Sequence, residues 1–388
     1  MLDSRSDEWI LQHEGESVHH LGAVTPPIFQ TSTFVHESVA AWQAVTDPAD
    51  PLAPYVYSRL TNPTLAVVEA KLAALEGTES ARLVGSGMAA MSSAILHCVN
   101  AGDHIVSIDT GYGPTMRFLK EYLGTKFGIT TTFVDGSNTE AILAAVQPNT
   151  RLIYLETPSS LFFQVQNIPR ITAFARQRGI LTMIDSTFSA GIRWKPAALG
   201  VDLVCHTASK FFGGHSDVVG GVIAGSRAHL DAILVNEIEL LGNIMSPFVG
   251  WLVLRGMRTL KVRLEHHAQT ATEVASWLGT RPEIDQVIHV GSPSHPQAAL
   301  AQQLGLQPGA LISFTVHQTD RAKVHAFVDR LKVFQIGVSW GGFESLAVTM
   351  TAQPMAWSEP RELVRIYCGL ESAQDLISDL NQALVALA

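Results

Sequence analysis

The chain is expected to adopt an α/β fold, with a large, mostly parallel sheet covered by helices on both faces and a smaller C-terminal α/β domain. Three observations predict this. From residue 77 onward, short apolar runs bounded by turn residues alternate with stretches at helical spacing, the rhythm of βαβ units. Near Gly256 that rhythm stops and a longer helical stretch begins. The chain has 388 residues, 47% of them hydrophobic, which suits two or three domains with a large packed core and excludes disorder. The expected division is an arm over 1–60, a larger domain over 61–256 and a smaller one over 257–388.

The elements follow in order. Residues 1–60 lack regular periodicity and carry Pro26-Pro27, Pro48, Pro51 and Pro54, which suits an extended arm lying on another surface. Residues 64–76 place apolar side chains at helical spacing, with Gly77 positioned to end the helix. Strands are expected at Ala81–Val84, His104–Ile108, Thr130–Val134, Leu152–Leu155, Leu181–Ile184 and Leu203–Cys205. Helices are expected at Gly87–Val99, Pro114–Leu123, 139–146 and 169–178. Continuous apolar strands of this kind are those of parallel sheets buried on both faces. Met257–Leu278 reads as one long helix. Beyond it, Ala310–Val316 and Leu346–Met350 read as strands, and 321–331 and 373–387 as helices.

Composition removes several function classes. No apolar run reaches the roughly 18 residues of a membrane span. The polar, acidic start of the chain has no basic segment leading into an apolar one, so no signal peptide is expected and the predicted compartment is the cytoplasm. The formal net charge is −9, with no basic stripe for nucleic acid. The three cysteines, Cys98, Cys205 and Cys368, are far apart and form no CxxC, which argues against a disulfide framework or a structural zinc site. Cys98 and Cys205 read as core residues. His19-His20 and His266-His267 are adjacent pairs, which on a helix do not face one ligand; they read as surface histidines, and no metal is expected.

The chemistry-bearing residues cluster after strand ends. Val201-Asp-Leu-Val-Cys-His-Thr207-Ala-Ser209-Lys210 is an apolar strand closing on two hydroxyls and a lysine. Hydroxyls can hold a phosphate, and an amine beside that phosphate can form a Schiff base with an aldehyde. Pyridoxal phosphate has both groups. Leu181-Thr-Met-Ile-Asp185 is a second apolar strand, ending in a carboxylate. The cofactor acts as an electron sink only while its ring nitrogen stays protonated, and a carboxylate keeps it so. Alone, Lys210 reads as a surface lysine and Asp185 as a helix cap; it is the pair that points to the cofactor. Gly85-Ser-Gly87-Met88 opens a helix directly after a strand, where free N–H groups favour an anion. Tyr112, flanked by Gly111 and Gly113, can stack on a planar ring or simply pack. Tyr112, Glu156, Asp185 and Lys210 all fall at or just past strand ends, where open α/β sheets bind ligands.

Taken together, these residues resemble the pyridoxal phosphate enzymes of cysteine and methionine metabolism, the group of cystathionine β-lyases, cystathionine γ-synthases and methionine γ-lyases. The resemblance runs over nearly the whole chain. It is carried by Gly22-Ala-Val-Thr-Pro-Pro-Ile-Phe-Gln-Thr-Ser-Thr-Phe34, Tyr57-Ser-Arg59-Leu-Thr-Asn62-Pro63-Thr64, Ser86-Gly-Met-Ala-Ala90, Asp185-Ser-Thr187, Ser209-Lys210, Gly214-His-Ser-Asp217, Leu254-Arg-Gly-Met-Arg-Thr-Leu260 and Val364-Arg365-Ile-Tyr-Cys-Gly369-Leu-Glu371. It implies the aspartate aminotransferase-like fold, fold type I, with the cofactor in the 61–256 domain. It also implies that Gly87 and Met88, with Thr207 and Ser209, hold the phosphate, and that Tyr57 and Arg59 reach it from a neighbouring subunit. By the same resemblance, Tyr112 stacks on the ring, Asp185 pairs with its nitrogen, Lys210 carries the Schiff base and Arg365 binds the substrate α-carboxylate. The implied assembly is a homotetramer of dimers that share active sites.

Within the group, three places resemble the β-lyases: Ser339-Trp340-Gly341-Gly342, Glu156-Thr-Pro-Ser159-Ser160, and Pro114 where methionine γ-lyases carry cysteine. Ser186, Glu239 and Val338 depart from the β-lyase pattern, and Glu239 would repel a second substrate carboxylate unless it points away. The expected reaction is β-elimination of L-cystathionine to homocysteine, pyruvate and ammonia. Lys210 would act as base, Tyr112 or Lys210 would protonate the leaving sulfur, and Ser339 and Trp340 would line the substrate side. A γ-lyase, γ-synthase or methionine γ-lyase on the same scaffold is the alternative, and a non-catalytic cofactor-binding regulator a more distant one.

Overall fold

The computed structural model describes residues 5–16, 20–45 and 55–387. Its centre is a seven-stranded sheet built from β1 (Ser80–Val84), β2 (His104–Ile108), β3 (Thr130–Val134), β4 (Thr150–Glu156), β5 (Leu181–Asp185), β6 (Leu203–Thr207) and β7 (Gly221–Gly225). The order across the sheet is β1-β7-β6-β5-β4-β2-β3. β7 is antiparallel to both its neighbours and the other pairings are parallel. Alternate strand residues enter opposite cores, because side chains along a strand alternate in direction. Leu83, Ile153, Ile184 and Val204 join the core that also holds Leu65, Ile171 and Leu264. Val84, Leu152, Met183 and Cys205 join the core that also holds Met91, Ile95 and Leu230.

The cap signals explain where helices start. Asn62 accepts the Thr64 N–H at 2.9 Å and Pro63 takes the first position of the helix Pro63–Glu76, which ends at Gly77 with φ +72°. Ser86 accepts the Ala89 N–H at 3.0 Å and opens the helix Gly87–Cys98. Cys98 and Cys205 are buried, as expected, and Cys368 is buried too. The helix expected at Pro114–Leu123 begins at Gly113, and its Phe118–Leu123 stretch winds as a wider π-helical segment.

Several expectations are corrected. The arm is not wholly extended: Asp7–His13 and Val39–Val45 are helices. Ser6 caps the first, Ile10 and Leu11 are buried, and Lys71 of the helix Pro63–Glu76 donates to the Ile10 carbonyl at 3.2 Å. Seven residues are too few to show a period. Pro48, Pro51, Pro54 and His19 lie outside the described residues. The long helix expected over Met257–Leu278 is Leu260–Leu278, and a separate helix, Pro247–Met257, precedes it, the two parted at Thr259 with ψ +9°. Ser246 and Pro247 start that preceding helix: Ser246 accepts the Val249 N–H at 3.3 Å. His267 is no surface residue: it is buried, and its Nδ1 faces the Cys368 and Gly369 carbonyls at 3.0 and 2.9 Å, while His266 is exposed. β7 went unread because Gly220, Gly221 and Gly225 look like loop. A Cβ on Gly221 would meet the Ser86 carbonyl oxygen at 2.1 Å, so close backbone approach imposes the glycine.

The second sheet has five strands: β8 (Ile284–Ile288), β9 (Leu311–Val316), β10 (Gln335–Ile336), β11 (Leu346–Ala352) and β12 (Arg361–Tyr367). Its order is β10-β11-β12-β9-β8, antiparallel apart from the β10–β11 pair. The helices Leu260–Leu278, Arg321–Asp329 and Ala373–Ala383 share its core through Val274, Phe327 and Leu380. β8, β10 and β12 are not among the strands expected from the sequence. Arg361, Glu362 and Arg365 hide β12, because their long side chains break its apolar run.

Candidate active site

The loop after β6 meets the segment that precedes β11, and that segment meets β12; the loops after β2 and β5 meet the ends of β4 and β6. Lys210 lies three residues beyond β6. Its Nζ contacts the Ser339 hydroxyl and stands 5.4 Å from the centre of the Trp340 ring. Burial first, and then the positive Arg365, bring the Lys210 amine down to about 8, against the pull of Asp185. A neutral amine is what Schiff-base formation and proton abstraction both need.

Asp185 is the last residue of β5 and is 7% exposed. Its Oδ1 accepts the Thr187 N–H at 2.9 Å and the Thr187 hydroxyl at 2.5 Å. That hydroxyl oxygen in turn accepts the Thr207 N–H at 2.9 Å, which ties the end of β5 to the end of β6. Burial pushes the Asp185 carboxyl up, opposed by Thr187 and then by the charges of His206 and Lys210.

Ser339 sits at φ +90°, a backbone region that costs a non-glycine residue strain. Two features hold it there. Arg365 on β12 donates from Nη2 to the Ser339 carbonyl at 3.0 Å. Gly341, at φ +96°, lies against Lys210, and a Cβ there would come within 2.7 Å of the Lys210 Cα. Trp340 packs on Phe211 with ring centres 5.2 Å apart. The Arg365 guanidinium is brought down to about 10 by burial, and its Nε is buried with no hydrogen-bond partner among the described residues. A buried donor with no partner is costly, and a substrate carboxylate would relieve it.

The residues fit pyridoxal phosphate. A Cβ on Gly87 would fall 2.1 Å from the Thr207 hydroxyl oxygen, so the open start of the helix Gly87–Cys98 is pressed against Thr207. The first N–H groups of a helix have no partner within it, and the fit brings the Gly87 end of this helix against that hydroxyl. The Ser209 Oγ accepts the Gly220 N–H at 3.0 Å. Tyr112 is 45% exposed, and its N–H donates to Glu156 Oε2 at 2.6 Å.

Lys210, Ser339, Trp340 and Arg365 are thus in one contact set, Asp185 and Thr207 in another, and their charges act on each other. Tyr57 and Arg59 stand apart from both. Arg59 lies 5.4 Å from the Tyr57 ring and 4.0 Å from Glu239. Glu239, which would repel a second substrate carboxylate unless it points away, lies 4.0 Å from Arg59 of its own chain.

Sequence reasoning missed the support behind Lys210. Arg263 is buried and donates from Nη2 to the Phe211 and Gly256 carbonyls, each at 2.8 Å, and from Nε to Thr259 at 3.1 Å. Tyr367 is also buried and donates to the Gly342 carbonyl at 2.7 Å. The basic series Arg258, Lys261, Arg263 is visible in the sequence, but nothing there separates its buried member from the others. Among the described residues no group of three or more His, Cys, Asp or Glu is placed to hold a metal, and no helix is long and apolar enough to cross a membrane.

The model for Cys/Met metabolism PLP-dependent enzymes matches residues 9–385. The L-methionine γ-lyase of Porphyromonas gingivalis is 38% identical over 97% of this chain and 96% of its own. The cystathionine γ-lyase of Bacillus subtilis is 37% identical and the cystathionine β-lyase of Lactococcus lactis 36%, each over 94% of both chains. The crystal structure of metB from Corynebacterium glutamicum superimposes with a TM-score of 0.90 at 33% identity, covering 99% of each chain. The fold is therefore fold type I, and with the match spanning both sheets the chain belongs to the Cys/Met metabolism PLP-dependent enzymes, as a pyridoxal phosphate-dependent carbon–sulfur lyase.

Proposed function

We propose that the enzyme catalyses β-elimination of L-cystathionine: with water, it gives homocysteine, pyruvate and ammonia. The observation that carries this reading is the Trp340 ring, 5.4 Å from the Lys210 Nζ and packed on Phe211. A γ reaction requires a second deprotonation at Cβ, so its base must travel along the substrate. A β reaction requires only the Cα proton and a leaving group on Cβ. Trp340 on one side and Ser339 in contact with Nζ narrow the space for that travel.

Bound pyridoxal phosphate supplies an electron sink for the charge left at Cα. The protein's part starts at Arg365, whose fork matches the α-carboxylate and fixes Cα beside Lys210. Lys210, with its amine near 8, takes the Cα proton. The thiolate then leaves Cβ and needs a proton. The Tyr112 phenol is pushed up by burial and then by the negative Asp185, so it stays protonated as a donor. The Lys210 ammonium formed in the first step is the other donor. Thr187 holds the Asp185 carboxylate in place for the ring nitrogen.

Product analysis tests the reaction. With purified enzyme and cystathionine, pyruvate and homocysteine should dominate. Mainly 2-oxobutyrate and cysteine would overturn the reading in favour of γ-cleavage, the activity named for the Porphyromonas gingivalis and Bacillus subtilis relatives.

Tyr57 and Arg59 are proposed to serve the phosphate of a neighbouring subunit, in dimers that pair into a homotetramer. The 43% exposure of Tyr57 supports this, as do the exposed Leu240, Leu241 and Phe248. Lys210→Ala and Arg59→Ala chains, each inactive alone, should regain activity when refolded together, because one of the two sites in each hybrid dimer is then intact. Well-formed hybrids without activity would place Arg59 outside any shared site.

A further inference from the structure

We propose that Glu156 is a positioning residue that sets Tyr112 relative to Asp185. The proposal rests on reading Tyr112 and Asp185 as cofactor contacts. Glu156 ends β4 as Asp185 ends β5, and the two are register partners in parallel strands. In that register their side chains leave the sheet on the same face. Each is only 7% exposed, so two carboxyl groups lie side by side in a poorly hydrated place.

Glu156 Oε2 accepts the Tyr112 N–H at 2.6 Å, and Ser160 favours the charged form of the same carboxyl. The loop that bears Tyr112 is otherwise fixed at its ends. The Asp109 N–H reaches the Val134 carbonyl at 2.9 Å, the Thr110 hydroxyl reaches Gln164 at 2.7 Å, and the Tyr112 carbonyl accepts the Met116 N–H at 3.0 Å. The peptide ahead of the ring is therefore anchored on Glu156. Gly111 permits this approach: a Cβ there would meet the Met116 Cε at 2.6 Å and Glu156 Oε2 at 3.5 Å.

The charge around Glu156 fits the same role. Tyr154 on its own strand, Tyr112 on the loop and Asp185 on β5 surround it, with His206 and Lys210 acting on Asp185 from β6 and the loop beyond. Burial first, and Asp185 second, push the Glu156 carboxyl up to about 8. Two adjacent buried carboxylates resist double ionisation. A proton on Glu156 leaves Asp185 as the anion for the ring nitrogen, while a Glu156 oxygen still accepts from Tyr112.

The test is a double-mutant cycle read by the dissociation constant of pyridoxal phosphate. The constant is measured by titrating cofactor-free protein and following the absorption of the bound form. Glu156→Leu strands the Tyr112 N–H and should weaken cofactor binding by about tenfold or more. Glu156→Gln keeps an acceptor and should stay within about threefold of the parent on the same scale. In a Tyr112→Ala background, Glu156→Leu should have little further effect, because coupled residues are not additive. Glu156→Ser enters the same cycle if the leucine chain does not fold. A merely structural Glu156 would give additive losses, and that result overturns the proposal, as does a leucine variant that binds cofactor like the parent. Tyr112→Ala alone separates the two readings. If it leaves the constant unchanged, Tyr112 is not a cofactor contact and the underlying reading falls first.

Discussion

Replacing Lys210 by alanine should abolish turnover and remove the visible absorption of cofactor joined to the protein. The loss combines two effects. A positioned general base contributes about 10²- to 10⁴-fold, and the covalent attachment through which the cofactor is held is lost as well, so the fall should exceed about 10⁴-fold. Among the described residues Lys210 is the only amine in contact with Ser339, Trp340 and the field of Asp185, so no neighbouring lysine there can stand in. An undiminished absorption band in the variant would assign the attachment to another lysine. A second measurement reads the lowered amine. In the cofactor-free native state Lys210 titrates near 8, against about 10.4 for a free lysine. Between those values the unfolded chain binds more protons, so the native state gains stability as pH rises through this window. The Lys210→Ala protein should lack that gain, which thermal unfolding of the two cofactor-free proteins from pH 8 to 10.4 can compare.

What the sequence reveals of this molecule is what local chemistry controls. β2 lies where its apolar run places it, because a strand buried on both faces needs such a run. The helix Pro63–Glu76 carries its own start and stop in Asn62 and Gly77. Lys210, Asp185, Ser339, Trp340 and Arg365 were legible as a group because each ends or follows a strand, or belongs to a motif. The rest depends on contacts between distant segments. Gly221 reads as loop until the Ser86 carbonyl is seen beside it. His267 reads as surface until the Cys368 and Gly369 carbonyls are seen to claim its ring. Nothing local announces that Glu239 faces Arg59, or that Glu156 holds the Tyr112 peptide.

Arg365→Leu should impair every amino-acid substrate by a similar factor, because its proposed partner is the α-carboxylate that all of them share. Its Nη2 is committed to Ser339, while its buried Nε has no partner among the described residues. Burial lowers the guanidinium only to about 10, so it remains charged at neutral pH and available to an anion. Removing one side of a desolvated charge pair costs about 2–5 kcal/mol, largely by stranding the other charge. At 1.36 kcal/mol per tenfold, that is roughly a 30- to 5,000-fold loss in kcat/KM. The variant also removes the second-largest influence holding the Lys210 amine down, so the acid limb of the pH–rate profile should move to higher pH. Arg365→Lys keeps a charge but loses the planar fork, and should fall between the parent and the leucine variant with a smaller shift of that limb. Steady-state kinetics with cystathionine and with cysteine, a shorter substrate for the same β-elimination, decide the point. Equal losses place Arg365 on the α-carboxylate. A loss confined to cystathionine would instead assign Arg365 to the distal end of the substrate and leave the α-carboxylate to another donor.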